Sequence, residues 1–353
     1  MIRNEVLENK PLLTFAVPTW NRGKYIKSTL DSIINEIIKQ ENKVEIFVSN
    51  NASTDNTVEI LKEYSNKYDF FKFKTNEQNL GFDLNLLNAI ENSNSIYVWT
   101  ISDDDLLHEG ALKKILDLIK EFNPNYIITD YTEFITKNGI MKELYSNREI
   151  KVNNKSVANY DTSLDFKQLL SIGLDDCGFF SVNVFKKEAL KIEEIRLNYK
   201  KVKAWSHLWM VGQATIHGGG FISPYKAILK RLDNSYVGYK VFTKQLPDSF
   251  GFIFDILDVD KTFRKDFFKK LSHKYLSLWG MIVLGVQLKI RNRKMDIDNI
   301  SKLILTKPKV VYLRFIFPVI PRFVVILPTK LMRWIKGKGF TVFDYENIDE
   351  NYF

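Results

Sequence analysis

Cysteine is nearly absent from this chain: Cys177 is the only one in 353 residues. That excludes an internal disulfide and a thiolate zinc cluster, and it suits a reducing compartment. Long apolar runs are missing as well. No stretch offers about 18 uninterrupted apolar residues, so a conventional membrane-spanning helix is not expected. The opening MIRNEVLENKPLL has no apolar segment of secretory type after its first charges, which makes the cytoplasm the expected location. A glycine-rich phosphate loop is also lacking. The segment PTWNRGKY, after the first apolar run, has one glycine and matches neither a P-loop nor GxGxxG. This counts against a nucleotidyltransferase or another nucleotide-diphosphate enzyme built on such a loop. No internal repeat or low-complexity segment is present.

Acidic residues are missing from one region. Residues 299–343 contain none, against nine basic residues: Lys302, Lys307, Lys309, Arg314, Arg322, Lys330, Arg333, Lys336 and Lys338. The other 42 of the 51 Lys and Arg match the 42 Asp and Glu, so the net charge of +9 belongs to this segment. Pro318, Pro321 and Pro328 break it into short pieces. Residues 329–336 alternate Leu331, Trp334 and Ile335 with Lys330, Arg333 and Lys336. That pattern suits a segment lying in an anionic membrane surface, each basic residue contributing about 1 kcal/mol. The alternative is a C-terminal helical bundle whose Lys and Arg snorkel outward. The segment is too apolar for a simple nucleic-acid contact surface.

At 45% hydrophobic and 26% charged residues, the chain is globular. Apolar runs at Leu12–Val17 (stopped by Pro18), 44–49, 70–75, 96–101 and 125–130 read as strands. Between them, 23–40, a segment capped by Ser53 or Asp55, 82–93 and 109–122 read as amphipathic helices. This predicts an α/β fold, a Rossmann-like mixed and mainly parallel sheet flanked by helices. Residues 131–235 are less regular: a hairpin-like YTEFITKNGIMKELY, helices near 163–172 and 205–217, a strand at 177–185, then GGGFIS. A domain limit near 240 separates this part, 1–240, from a mostly helical C-terminal extension, 241–353. There Phe263, Phe267, Leu271, Tyr275, Leu278, Ile282 and Val286 fall on one stripe suited to packing.

In parallel sheets the ligand crevice lies beyond the carboxyl ends of the strands. Three polar clusters follow strand ends here: PTWNR (18–22), NNASTD (50–55) and SDDD (102–105). The last sets Asp103, Asp104 and Asp105 side by side at the end of an apolar run. Such neighbours repel, so something positive should face them. A solvated turn with a helix cap is the bland alternative; a hard divalent cation would offset the repulsion through oxygen ligands.

The array FAVPTWNR … VEIFVSNNASTD … NEQNLGFDLNLLNAI … IYVWTISDDDLLHEGAL resembles the family 2 glycosyltransferases with the GT-A fold, most closely the branch that includes abequosyltransferases. The match runs in order over roughly residues 11–120, with weaker echoes to about 235. The resemblance implies inverting transfer of a sugar from a nucleotide-diphosphate donor, assisted by Mn²⁺ or Mg²⁺, to a hydroxyl of a bacterial surface glycan or lipid-linked precursor at the inner face of the membrane. It places Pro18, Thr19, Asn21 and Arg22 along the nucleoside, Asp103 at the ribose, Asp104 on the metal and Asp105 as an outer or water-mediated ligand. Asn79 and Gly81 would face the nucleotide, a loop and helix cap being the alternative. Asn51 stands where the family usually has an Asp that accepts from uracil N3–H. An Asn amide also donates, so it could serve cytosine N3, and the base stays open between UDP, CDP and dTDP, with UDP slightly ahead.

The attacking hydroxyl needs a general base. The family's acidic pair at a helix start is replaced here by Ser206–His207 in KAWSHLWMVG. The candidates are His207, whose unperturbed pKa of about 6.5 is suitable, and Asp176, with Asp175 behind them; a packed histidine and a loop turn are the bland readings. Lys230 and Arg231 could clamp the diphosphate or simply end a strand, and His217 beside three glycines is disfavoured as a metal ligand. A non-catalytic glycan- or nucleotide-binding protein on the same fold is the competing reading should no base exist.

Overall fold

The computed structural model describes residues 10–40, 43–137, 140–144, 151–152, 155–156, 164–172, 178–202, 204–232 and 246–275. The chain divides into two compact units, Met1–Ser235 and Tyr236–Phe353. In the first, strands and helices alternate from the start: β1 (Leu13–Thr19), α1 (Ile26–Ile37), β2 (Val44–Asn50), α2 (Thr57–Lys67), β3 (Phe71–Thr75), α3 (Phe82–Glu91), β4 (Tyr97–Thr100), β5 (Leu106–Leu107) and α4 (Ala111–Phe122). Then come β6 (Tyr126–Lys137), β7 (Ile140–Leu144), the two-residue strands β8 (Lys151–Val152) and β9 (Lys155–Ser156), α5 (Phe166–Ile172), β10 (Asn183–Lys186), α6 (Ile192–Val202), α7 (Ser206–Thr215) and β11 (Gly220–Arg231).

The main sheet runs β3-β2-β1-β4-β10-β6-β11-β5, with β7 paired to β6. From β3 to β4 every pairing is parallel. β10 then enters antiparallel between β4 and β6, while β6 and β11 run parallel. β1 is buried along its whole length, as a central strand covered on both faces must be. Phe15 on β1 stacks on Trp99 of β4 with ring centroids 5.1 Å apart, and the Trp99 Nε1–H donates to the Ser181 carbonyl (2.9 Å). α4 buries Leu112, Ile115, Leu116 and Ile119, the spacing of one helical face; each such side chain contributes about 1.5–3 kcal/mol.

Several elements differ from the sequence pattern, for physical reasons. β1 continues through Pro18 to Thr19, because β4 pairs only as far as Ala16↔Thr100 and the missing Pro18 N–H faces no partner strand. The expected strand 125–130 and the first arm of the hairpin are one strand, β6. The segment 177–185 is a strand only from Asn183; before it the chain makes a 3-10 turn, Phe180–Val182. PYKAILKR, read as irregular, completes β11, bent by register shifts between Ser223 and Ile228.

In the second unit α8 (Leu246–Ile256) and α9 (Lys261–Tyr275) are joined by a tight turn. Phe250, Phe254 and Phe267 pack ring against ring at 4.7–5.4 Å. The Arg264 guanidinium donates to the carbonyls of Phe254 (2.7 Å) and Val259 (2.6 Å), closing the C-terminal end of α8. Leu278, Ile282, Val286 and the basic segment 299–343 lie outside the described residues. No helix among the described residues is long and apolar enough to cross a membrane.

Candidate functional site

The carboxyl ends of β1, β2, β3 and β4 deliver four loops to one edge of the sheet, and hydrogen bonds tie them together. Asn21, with φ +52°, donates its N–H to the Ser53 hydroxyl (2.8 Å), and its side-chain oxygen accepts from the Thr54 N–H (2.8 Å). The Arg22 N–H donates to the Thr57 hydroxyl (3.0 Å). Asp55 accepts from the N–H groups of Gly23 and Thr57, both at 3.0 Å, and from the Thr57 hydroxyl (2.5 Å). Burial works against its charge, but these donors prevail and hold its carboxyl below the usual range. Gly23 fits because it has no side chain: a Cβ there would lie 1.8 Å from Asn56 Oδ1.

The three consecutive aspartates occupy three different environments. Asp103 is buried and lies 3.3 Å from the Arg22 Nε. Burial pushes its carboxyl up to about 7, opposed by Arg22 and reinforced by Asp104, with the Thr19 hydroxyl and Trp20 N–H pulling it down. Asp105 is buried too; one oxygen accepts from the Ser181 hydroxyl (2.6 Å), the other from the Arg231 N–H (2.9 Å). Burial first, then the Asp104 charge, raises its carboxyl well above the ordinary value, against the pull of Ser181, Arg231 and Lys230. Asp104 is only half-buried and accepts from the Ser102 hydroxyl (2.5 Å). The positive groups expected beside the trio are therefore Arg22, Lys230 and Arg231. Asp105, expected as an outer metal ligand, instead joins Ser181 to the end of β11.

Arg231, expected over a diphosphate, is buried. Its Nε donates to the Asp104 carbonyl (3.0 Å), one terminal nitrogen donates to Thr136 Oγ1 (2.7 Å), and the guanidinium lies 4.5 Å over the Phe134 ring. It braces the trio's backbone rather than standing as an open cation. Lys230, on the alternate face of the strand, keeps a quarter of its side chain exposed; it sits 5.1 Å over Tyr131, 4.9 Å over Phe179 and 3.9 Å from Glu133.

Asn51, read above as a contact to the base, has its amide occupied. Its nitrogen donates to Asn79 Oδ1 (2.6 Å) and, at 3.4 Å, to the Gly81 carbonyl; its oxygen accepts from the Leu80 N–H (2.9 Å) and the Asn76 amide (3.1 Å). Asn51 thus folds the 76–81 loop onto β2, and pairing with a base would require undoing that loop. Gly81, at φ +81°, turns the chain into α3, and Asn79 stands exposed beside it.

His207, expected as a base, lies in the first turn of α7 and is buried; Trp205 (5.6 Å) and Phe180 (5.9 Å, edge-on) pack against its ring. Its Nε2 meets the Gly178 carbonyl at 3.1 Å, and its Nδ1 is buried with no hydrogen-bond partner among the described residues. Burial lowers its pKa to about 4, so the ring is neutral near pH 7 and a weak proton acceptor. Asp175 and Asp176 lie outside the described residues. His217 is exposed beyond the far end of α7, which at ten residues is about 15 Å long.

One acidic residue escaped the sequence reading. Asp83, in the first turn of α3, is buried and accepts from the Ala204 N–H (2.5 Å), the Ser206 N–H (3.3 Å) and the Ser206 hydroxyl (2.7 Å). Burial raises its carboxyl despite those donors. It supplies from another helix the carboxylate that the start of α7 lacks. In the sequence it looks like an ordinary first-turn acid; its contact lies 123 residues away. No group of three or more His, Cys, Asp or Glu able to hold a metal ion occurs among the described residues.

The sequence model of the family described as "Glycosyl transferase family 2" matches residues 14–188, which hold these four loops. The chain is 30% identical over 179 residues to abequosyltransferase RfbV of Salmonella typhimurium, covering 44% of this chain and 53% of the relative. It is 32% identical over 117 residues to the poly(ribitol-phosphate) beta-N-acetylglucosaminyltransferase TarP of Staphylococcus aureus, covering 33% and 35%. The chain thus spans about half of the first relative and a third of the second. Among solved structures, residues 1–349 of S. aureus TarS in complex with UDP-GlcNAc superimpose with a TM-score of 0.52 at 16% identity, over 86% of this chain and 87% of that one. That likeness gives the GT-A fold.

Proposed function

Because residues 14–188 make this chain a member of glycosyl transferase family 2, we propose that it moves a sugar, with inversion, from a nucleotide-diphosphate donor to a hydroxyl of a bacterial surface glycan or its lipid-linked precursor. The observation that carries this reading is the gathering of the four strand-end loops at one edge of the sheet, with an acidic trio whose Asp103 lies 3.3 Å from Arg22 and whose Asp105 feels Lys230. Pro18, Thr19, Asn21 and Arg22 lie along the nucleoside, Asp103 meets the ribose, and Lys230 faces the diphosphate. Asn79 and Gly81 border the nucleotide as a loop that Asn51 holds in place. UDP, CDP and dTDP remain the candidate carriers. The solved TarS complex holds UDP-GlcNAc, which favours UDP.

Mn²⁺ or Mg²⁺ is the implied cofactor. A half-buried carboxylate suits such a cation, whose remaining oxygen ligands come from water and donor phosphates. Asp104 is the residue of the trio that fits, being half-buried where Asp103 and Asp105 are buried. The cation supplies Lewis-acid stabilisation of the departing diphosphate. With the His207 ring buried between Trp205 and Phe180, the base role falls to Asp176, two residues before the Gly178 carbonyl that His207 meets, with Asp175 next to it. The basic segment 299–343 rests on an anionic membrane surface at the cytoplasmic face, and the catalytic part ends near residue 240.

Incubation with a panel of UDP-, CDP- and dTDP-sugars and Mn²⁺, followed by product mass, tests the reading. One carrier should give metal-dependent donor hydrolysis, and transfer once an acceptor saccharide is supplied. Absence of hydrolysis with all three carriers contradicts catalysis and leaves a binding protein.

A further inference from the structure

Two aromatic side chains meet beside the acidic trio. Phe82 opens α3 and Phe180 opens the 3-10 turn; their ring centroids are 5.4 Å apart at an interplanar angle of 75°. Phe82 is 40% exposed, whereas Leu86, Leu87 and Ile90 of the same helix are buried. Each ring adjoins groups of the strand-end loops described above. Phe180 precedes Ser181, whose hydroxyl donates to Asp105 (2.6 Å) and accepts from the Ser102 N–H (2.9 Å). Its own carbonyl accepts from the Thr100 hydroxyl (3.0 Å). Phe82 follows Gly81 in the loop that Asn51 holds.

The pair is backed by rigid structure. His207 packs perpendicular to Phe180, Trp205 packs on His207, and Asp83, adjacent to Phe82, clasps the start of α7. A pyranose ring has one face of C–H bonds with partial positive charge, rimmed by hydroxyls. The face of an aromatic ring is negative and apolar, so the two stack and leave the hydroxyls to water or polar groups. In the transferase reading the donor's sugar stays with its diphosphate, so Phe82, two-fifths open to solvent and next to the Gly81 that borders the nucleotide, is available to a second saccharide.

We infer that Phe82, seated against Phe180, is the surface on which the acceptor's sugar ring stacks, and that His207 supports this surface instead of taking the acceptor's proton. The inference rests on the transferase reading above.

The full chain with UDP and Mn²⁺ is mixed with the methyl glycosides of glucose, galactose, N-acetylglucosamine and rhamnose, each followed by saturation-transfer NMR. At least one glycoside should receive saturation concentrated on one ring face. That signal should fall about tenfold in Phe82→Ala and persist in Phe82→Trp, which keeps the aromatic face. UDP affinity should stay within about twofold in both variants, which also reports that they are folded. Undiminished glycoside binding in Phe82→Ala, or no saturation of any glycoside while UDP binds, overturns the stacking surface alone. Failure of every carrier nucleotide to bind the unmodified chain overturns the transferase reading, and the stacking surface with it.

Discussion

Asp103, Asp104 and Asp105 are chemically identical and adjacent, yet their surroundings give them different work. Asp103 is ion-paired, Asp105 is tied to Ser181 and β11, and Asp104 is half-buried and accepts from the Ser102 hydroxyl. Asp104→Asn should lower transfer by about 10²-fold or more and remove the Mn²⁺-dependent part of the UDP thermal shift, with little change in melting temperature without nucleotide. Unchanged turnover would exclude Asp104 as the metal's carboxylate. His207 makes a second, opposite prediction. Its folded pKa of about 4 lies below the ordinary 6.5, so between those values the folded chain binds fewer protons than the unfolded one. Its contribution is complete above pH 6.5 and lost as the pH falls, by about 3 kcal/mol at pH 4. His207→Gln should flatten this acid limb in melts recorded from pH 7 to pH 4. An identical acid limb in both proteins would show that the ring titrates normally.

At the scale of elements, the site depends on how helix starts are fastened. α2 is closed locally, by Asp55 against Thr57. α7 is closed from a distance, by Asp83 of α3, and this joins the helix bearing Phe82 to the helix bearing His207. Asp83→Ala leaves two N–H groups and a buried hydroxyl without their acceptor, which should cost about 1–3 kcal/mol. Urea melts should show that loss, with faster amide exchange in the first turn of α7. Asp83→Asn, which keeps an acceptor oxygen, should lose less. Equal stability of Asp83→Ala and the unmodified chain would mean that α7 is capped by other means.

For the whole molecule the main asymmetry is electrical: the net positive charge sits in residues 299–343, and the remainder is formally neutral. A contact of that segment with acidic lipid should respond to salt. The full chain should cosediment with vesicles containing phosphatidylglycerol, more weakly at 0.5 M salt (roughly a 4 Å screening length) and not with phosphatidylcholine alone. Replacing Lys330, Arg333 and Lys336 by Gln should weaken binding by about 3 kcal/mol, near 1 kcal/mol per charge. Binding that ignores both salt and these substitutions would argue for packing of the segment as a helical bundle.

The alternation of strands and helices from Leu13 to Phe122 and the polar loops at the strand ends are legible in the sequence alone, because apolar periodicity and loop chemistry act over a few neighbouring residues. So is the need of three adjacent carboxylates for positive company. Which groups supply it, and how deeply each candidate is buried, follows from the packing of the folded chain. The antiparallel entry of β10 between β4 and β6 brings Ser181 to Asp105 across 76 residues, and the packing of α3 brings Asp83 to Ser206 across 123. The same packing gives Asn51, Arg231 and His207 hydrogen-bond partners within the chain. Hydrogen bonding and burial at that range follow from strand order and helix docking, and no local pattern encodes either.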